Sequence, residues 1–234
     1  MKTLFRAIER GVSNHGWLLS YHTFSFSHYF NPEKMGFGRL RVLNDDTVKP
    51  GFGFGTHPHE NMEIVSIPLA GAIGHKDSTG TNGSIHVGEV QIMSAGTGIT
   101  HSEFNHSSQE ELKFLQVWIL PEKINIAPRY DQKSFPKDSF QENWKLVVSP
   151  KSENDTIWIN QNSFFSLGNF SNGKKISYKL YDPSNSVFLF LIEGSILVDG
   201  EVLDRRDGIG LSGNIEYSIE VKADANLLAI EVPK

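Results

Sequence analysis

The sequence predicts an all-β protein built as two tandem β-barrels. Three observations carry that expectation. Val, Ile, Phe and Tyr gather in short runs separated by Gly, Asn, Asp and Ser at hairpin-like intervals. Glycine is frequent, at 21 of 234 residues, which suits turns rather than helix interiors. A polar, proline-bearing stretch from Pro121 to Gln141 splits the runs into two series, as a crossover between domains would. At 234 residues the chain has room for two domains.

The first series reads as strands over Leu40–Leu43, Met62–Leu69, Ala72–Lys76, Glu89–Met93, Ile99–Phe104 and Phe114–Leu120. The second reads as Lys145–Val148, Thr156–Ile159, Phe164–Leu167, Ile176–Leu180, Val187–Ile192, Ser195–Val198, Ile209–Leu211, Tyr217–Val221 and Leu227–Glu231. Tight turns are expected at Glu193-Gly194 and at Asp199-Gly200, the latter a type I′ hairpin dipeptide between alternating runs. Closing such hairpins into barrels removes exposed edges. The expected division is a metal-binding domain over 1–132 and a metal-free domain over 133–234. All nine histidines precede residue 107, so no imidazole-based metal centre fits the second half.

A net charge of −5 and the lack of a dense Lys/Arg block disfavour direct nucleic-acid binding. The absence of Cys excludes disulfides, thiolate ligands and a Cys nucleophile. The start MKTLFRAIERG lacks the apolar core of a secretory signal, and no stretch approaches the roughly 20 apolar residues of a membrane helix. A soluble cytoplasmic protein is expected, monomeric because neither half shows an uninterrupted apolar surface pattern.

His57-Pro58-His59 and His101-Ser102-Glu103 each place two metal-capable side chains two residues apart. In a strand, residues i and i+2 share a face and lie about 6.6 Å apart along it. Two such pairs on facing strands can close around one cation. Three imidazoles and a carboxylate suit divalent iron, nickel, copper, manganese, cobalt or zinc, and the lack of thiolate argues against a structural zinc site. Four protein ligands would leave one or two positions open on a metal that favours five or six, which points to catalysis. Glu63, four residues after His59, is an alternative carboxylate ligand. His75 and Asp77 could orient pocket groups; Gln91, Met93, Gln116 and Trp118 could line the cavity or simply pack the core. His22 and His28 are expected in an aromatic cluster at the barrel mouth, and the glycines of GFGFG at 51–55 in a rim turn.

The two blocks GFGFGTHPHENMEIVSIPLAG and GEVQIMSAGTGITHSEFN resemble the two-block signature of the cupin superfamily, and more closely that of the pirin family, whose second block matches SAGTGITHSE at 94–103. NHGWLLSYHTFSF at 14–26, RVLNDD at 41–46, HKDS at 75–78, QVWILP at 116–121 and PRYDQ at 128–132 are similar to segments of bacterial pirin-like proteins of the quercetinase type. That resemblance implies a bicupin of two double-stranded β-barrels, with metal ligands His57, His59, His101 and Glu103 and Fe(II) as the first expectation. It implies a dioxygenase that opens flavonols such as quercetin at the 2,3 bond with O2 and release of CO, Glu103 acting as both ligand and base. It also implies an alternative, a non-catalytic iron-binding regulator acting through a protein partner. Cupins host isomerases and decarboxylases as well, so the fold alone does not fix the reaction.

Overall fold

Antiparallel pairing of the alternating runs builds two sheets in the N-terminal half. The computed structural model describes residues 1–151 and 155–234. The larger sheet has seven strands in the order Arg129–Ser134, Glu89–Ser94, Glu63–Ala70, Leu112–Ile119, Leu40–Val48, Leu18–His22 and Gly11–Asn14. The smaller has four, in the order Gly53–His59, Ile99–Asn105, Ala72–Asp77 and Asn82–His86. Ile73 and Ile85 of the smaller sheet pack on Leu18, Val48, Leu112 and Phe114 of the larger, closing one end of a barrel. Ile64, Met93, Ala95 and Ile99 form a second apolar cluster of this half, and the site is built from the half's buried polar residues, His101 and Glu103 among them.

Among the described residues the C-terminal half supplies eight strands of a nine-stranded sheet folded on itself, the ninth being Lys2–Phe5. Its spine is a long antiparallel ribbon of Ser186–Val198 and Glu216–Val232, whose register slips repeatedly between Leu191 and Ile196. Such bulges bend a ribbon. Beyond the bend each end recruits different neighbours: Lys175–Lys179 and Glu201–Asp204 at one end, Phe164–Phe170 and Gly208–Leu211 at the other. The interior so enclosed is filled by Val187, Leu189, Leu191, Ile196, Ile209, Leu227 and their neighbours. With no histidine available and apolar side chains in place, this barrel is a packed core.

Ribbon residues of the opposite parity, Phe188, Phe190, Ile192, Leu228 and Ile230, face outward onto Leu43, Val65, Ile67, Ile92, Leu115 and Val117 of the seven-stranded sheet. Both faces of the ribbon are therefore buried, which explains the unbroken apolar run VFLFLI. Phe188 sits in this shared core with its ring 5.3, 5.6 and 5.8 Å from those of Phe5, Phe24 and Phe37. Phe188→Ala is expected to lower stability by about 3–5 kcal/mol in urea unfolding; a loss below about 1 kcal/mol would contradict this packing.

The all-β expectation holds: among the described residues the helical segments are two short 3-10 turns, Ala7–Glu9 and Lys137–Phe140. Asp199 and Gly200 both take positive φ between paired Val198 and Glu201, as the hairpin requires. Other expectations change. Glu193-Gly194 is no turn; Gly194, at φ +94°, lies inside the ribbon's bulge, where an added Cβ would stand 2.1 Å from the Asp224 carbonyl. The runs on either side are accordingly one strand, as are Tyr217–Val221 and Leu227–Glu231. The polar stretch after Pro121 contains the strand Arg129–Ser134, paired with Glu89–Ser94. Lys2–Phe5 forms a strand too, and pairs with Gly208–Leu211 of the C-terminal sheet.

Candidate metal centre and cavity

The strands Gly53–His59 and Ile99–Asn105 lie side by side, setting His101 opposite His57 and Ile99 opposite His59. Alternation then turns His57, His59, His101 and Glu103 into the barrel. Between His101 and Glu103 the register slips, so that Glu103 faces Phe54. The backbones come close beyond that slip. A Cβ on Gly53 would stand 2.3 Å from the Glu103 carbonyl oxygen, so glycine is required beside the carboxylate.

The rings of His57 and His101 are 4.4 Å apart, and each lies 4.9 Å from that of His59. His57 Nδ1 donates to the Gly55 carbonyl at 2.8 Å, leaving Nε2 as a free lone pair. His101 is buried, and among the described residues neither of its ring nitrogens has a hydrogen-bond partner. Burial, with the neighbouring imidazoles, holds His59 down to about 4 and His101 to about 3. Both are therefore neutral, the form that binds a metal. A buried imidazole with two orphaned nitrogens costs stability unless something fills its lone pair, and a nitrogen-rich donor set with an adjacent carboxylate fits a divalent transition metal.

Two ligand clusters overlap at His101: one joins it to His57 and His59, the other to His75 and Glu103, with ligand atoms inside each lying within 4.8 Å of one another. Glu103 is held from the larger sheet, where Gln116 Nε2 donates to Oε2 at 2.7 Å and Ser66 Oγ to Oε1 at 3.4 Å. Trp118 Nε1 in turn donates to Gln116 Oε1 at 3.3 Å. Burial pushes the Glu103 carboxyl up to about 7. Glu63 is elsewhere. It shares its strand face with Val65 and Ile67, accepts from Ser94 Oγ at 2.7 Å, and receives the Asn160 backbone amide at 3.2 Å from the C-terminal half. The chain turns between His59 and Glu63, with Asn61 at φ +49°, so counting parity across that turn fails.

His75 Nε2 bonds Asp77 Oδ2 at 2.9 Å, both side chains fully buried, while His75 Nδ1 has no partner. Asp77 is fixed by the Thr79 hydroxyl and by the Thr79 and Thr81 amides. Gln91 and Met93 are buried, Met93 packing with Ile64, Ala95 and Ile99.

A cavity of about 430 Å³ opens onto His57, His59 and Glu103. Trp17, Phe26, Phe54 and Trp118 give it aromatic walls. That volume and lining suit one planar aromatic molecule.

The profile of the Pirin family matches residues 5–119, and that of the quercetinase C-terminal cupin domain matches 146–232. A quercetin 2,3-dioxygenase of Escherichia coli is 40% identical over 230 residues, 98% of each chain. The chain belongs to the pirin family. A pirin-like protein of Caulobacter vibrioides is 36% identical to it, over 94% of this chain and 95% of its own length. Two crystal structures of YhhW from Escherichia coli superpose on this pirin with TM-scores of 0.95 and 0.93, at 39% and 38% identity. They cover all of this chain and 98% and 99% of theirs, and the second is in complex with nickel(II).

Several cavity residues of this pirin escape a reading of its sequence. Trp17 and Phe54 stack edge to face at 5.2 Å, and Ser20, His22, Asn44 and Asp46 form a polar wall. His22 does touch Phe26, at 5.2 Å between rings, but it is buried and hydrogen-bonded, whereas His28 is exposed and lines no part of the cavity. Gly51 takes the expected turn at φ +73°, while Gly53 and Gly55 lie within a strand. A usable signal did exist in LRVLNDDTV, where Asn44 and Asp46 are polar residues on the same strand face as the apolar Val42 and Val48, and all four are buried.

Proposed function

We propose that this pirin is a metal-dependent dioxygenase that opens flavonols such as quercetin at the 2,3 bond, consuming O2 and releasing CO. One observation carries the reading: the aromatic-walled cavity opens directly onto the histidine cluster and onto Glu103. The names of its relatives, quercetin 2,3-dioxygenases among them, support the same substrate class.

His57, His59, His101 and Glu103 would hold the metal, with iron(II) expected first and nickel(II) next, the latter supported by the nickel complex of the Escherichia coli pirin. When bound, that ion supplies Lewis-acid polarisation of the substrate's 3-hydroxyl and a meeting point for oxygen. The chain's own residues do the rest. Glu103 takes the 3-hydroxyl proton, leaving the electron pair on the flavonolate oxygen. Gln116 and Ser66 keep both carboxylate oxygens oriented through the transfer. Trp17, Phe26, Phe54 and Trp118 clamp the rings and exclude water, favouring attack by oxygen over protonation of the enolate.

The test is steady-state quercetin loss with stoichiometric oxygen uptake by protein reconstituted with iron(II), nickel(II), copper(II) or manganese(II). Turnover well above that of the free metal is expected for at least one form. Rates no greater than free metal in every form would defeat the proposal.

A further inference from the structure

The cavity holds a second carboxyl group, and among the described residues no cation pairs with it. Asp46, on the strand Leu40–Val48, is buried to 3% exposure yet lines the cavity together with Glu103. The cations nearby are turned away: Arg10 and Arg206 both pair with the neighbouring Asp45, at 3.2 and 2.9 Å, on the other face of the strand. Ser20 Oγ donates to Asp46 Oδ1, and no described group donates to Oδ2. His22 gives no help. Its Nδ1 donates to Asn44 Oδ1 at 2.9 Å and its Nε2 accepts from Ser13 Oγ at 2.9 Å, so it is a neutral imidazole already satisfied. Burial, with Asp45 and Glu103 close by, pushes the Asp46 carboxyl up to about 7.

A buried carboxylate without a counter-charge is costly unless a donor reaches it. Asp46 lines the space a ligand would fill, and Oδ2 is its oxygen left without a described donor. We propose that Asp46 is a second ligand-binding group of this cavity, accepting a hydroxyl of the aromatic substrate other than the one that faces Glu103. The substrate class narrows accordingly, to planar aromatics carrying at least two hydroxyl groups. Ser20 is the positioning residue, holding Oδ1 so that Oδ2 points into the cavity. This rests on the flavonol reading above.

Two probes separate the contributions: quercetin, which has several hydroxyls, and 3-hydroxyflavone, which keeps the hydroxyl meant for Glu103 and lacks the others. Their dissociation constants are measured by titration calorimetry without oxygen, on nickel-loaded wild type, Asp46→Asn and Ser20→Ala. Wild type is expected to prefer quercetin. Asp46→Asn should weaken quercetin by about ten- to a hundredfold and leave 3-hydroxyflavone within about twofold. Ser20→Ala should shift the ratio the same way by a smaller factor. Because both probes read the same folded fraction, partial unfolding cancels from the ratio. Equal weakening of both probes, or of neither, would overturn the role of Asp46 while leaving the flavonol reading intact. If wild type bound neither probe, both would fall together. The ratio decides whether or not oxygen is consumed, so failed turnover removes the reaction without touching this result.

Discussion

His101→Ala is expected to empty the metal centre, lowering bound metal from about one ion per chain to below roughly a tenth by elemental analysis of dialysed protein. The effect should exceed that of any other single histidine, because His101 is the member common to both ligand clusters. Its two ring nitrogens have no partner among the described residues, so removing the ring breaks no hydrogen bond there. The variant should therefore stay folded, with the circular dichroism of the metal-free wild type. That separates loss of a ligand from loss of structure. Metal retained at full occupancy after His57→Ala and His101→Ala together would end the assignment of the centre.

Glu103→Gln is expected to reduce quercetin turnover by about 10²–10⁴-fold, the range for removing a positioned base. Its second signature is a pH dependence. Burial raises the Glu103 carboxyl to about 7, so in metal-free protein this group keeps its proton below that pH. An incoming cation must displace the proton there, and above about 7 it need not. The apparent metal affinity of the wild type should thus rise with pH up to about 7 and then flatten, with a proton released per metal on the acidic side. His59 and His101, held near 4 and 3, are already neutral through this interval and add nothing to the slope. In Glu103→Gln the carboxyl's share of the slope should vanish, which calorimetry in two buffers of different ionisation enthalpy would show. An unchanged slope in the variant would remove Glu103 from the ligand set.

How much of this was legible in the sequence follows from the range of each signal. The His57/His59 and His101/Glu103 pairs are local, since alternation along one strand suffices to put each pair on one face. Glu63 was not legible in that way, because its distance from His59 spans a turn and two strands. Gly194 shows the same limit. A Glu-Gly dipeptide reads alike in a hairpin and in a bulge, and the ladder to Glu216–Val232 decides between them. Arg129–Ser134 has no apolar alternation to find, being a sheet-edge strand tied in by Arg129 to the Trp158 carbonyl and by Gln132 to Glu89. Asp46 was hidden for a different reason. Polar residues facing inward contradict a hydrophobic interior, and they make sense only where the interior is a binding cavity.

The strand Lys2–Phe5 finds its partner at Gly208–Leu211, some two hundred residues further along the chain. During synthesis it is made some two hundred residues ahead of that partner and waits, unpaired, until the partner has emerged. Closure of that last ladder is a long-loop event, costly in chain entropy and slow. Phe5, which belongs to the apolar layer joining the two halves, is withheld until the same moment. A nascent chain of this pirin stalled short of residue 208 would therefore still carry a sticky, unmatched β edge at Lys2–Phe5, its partner Gly208–Leu211 being still unmade.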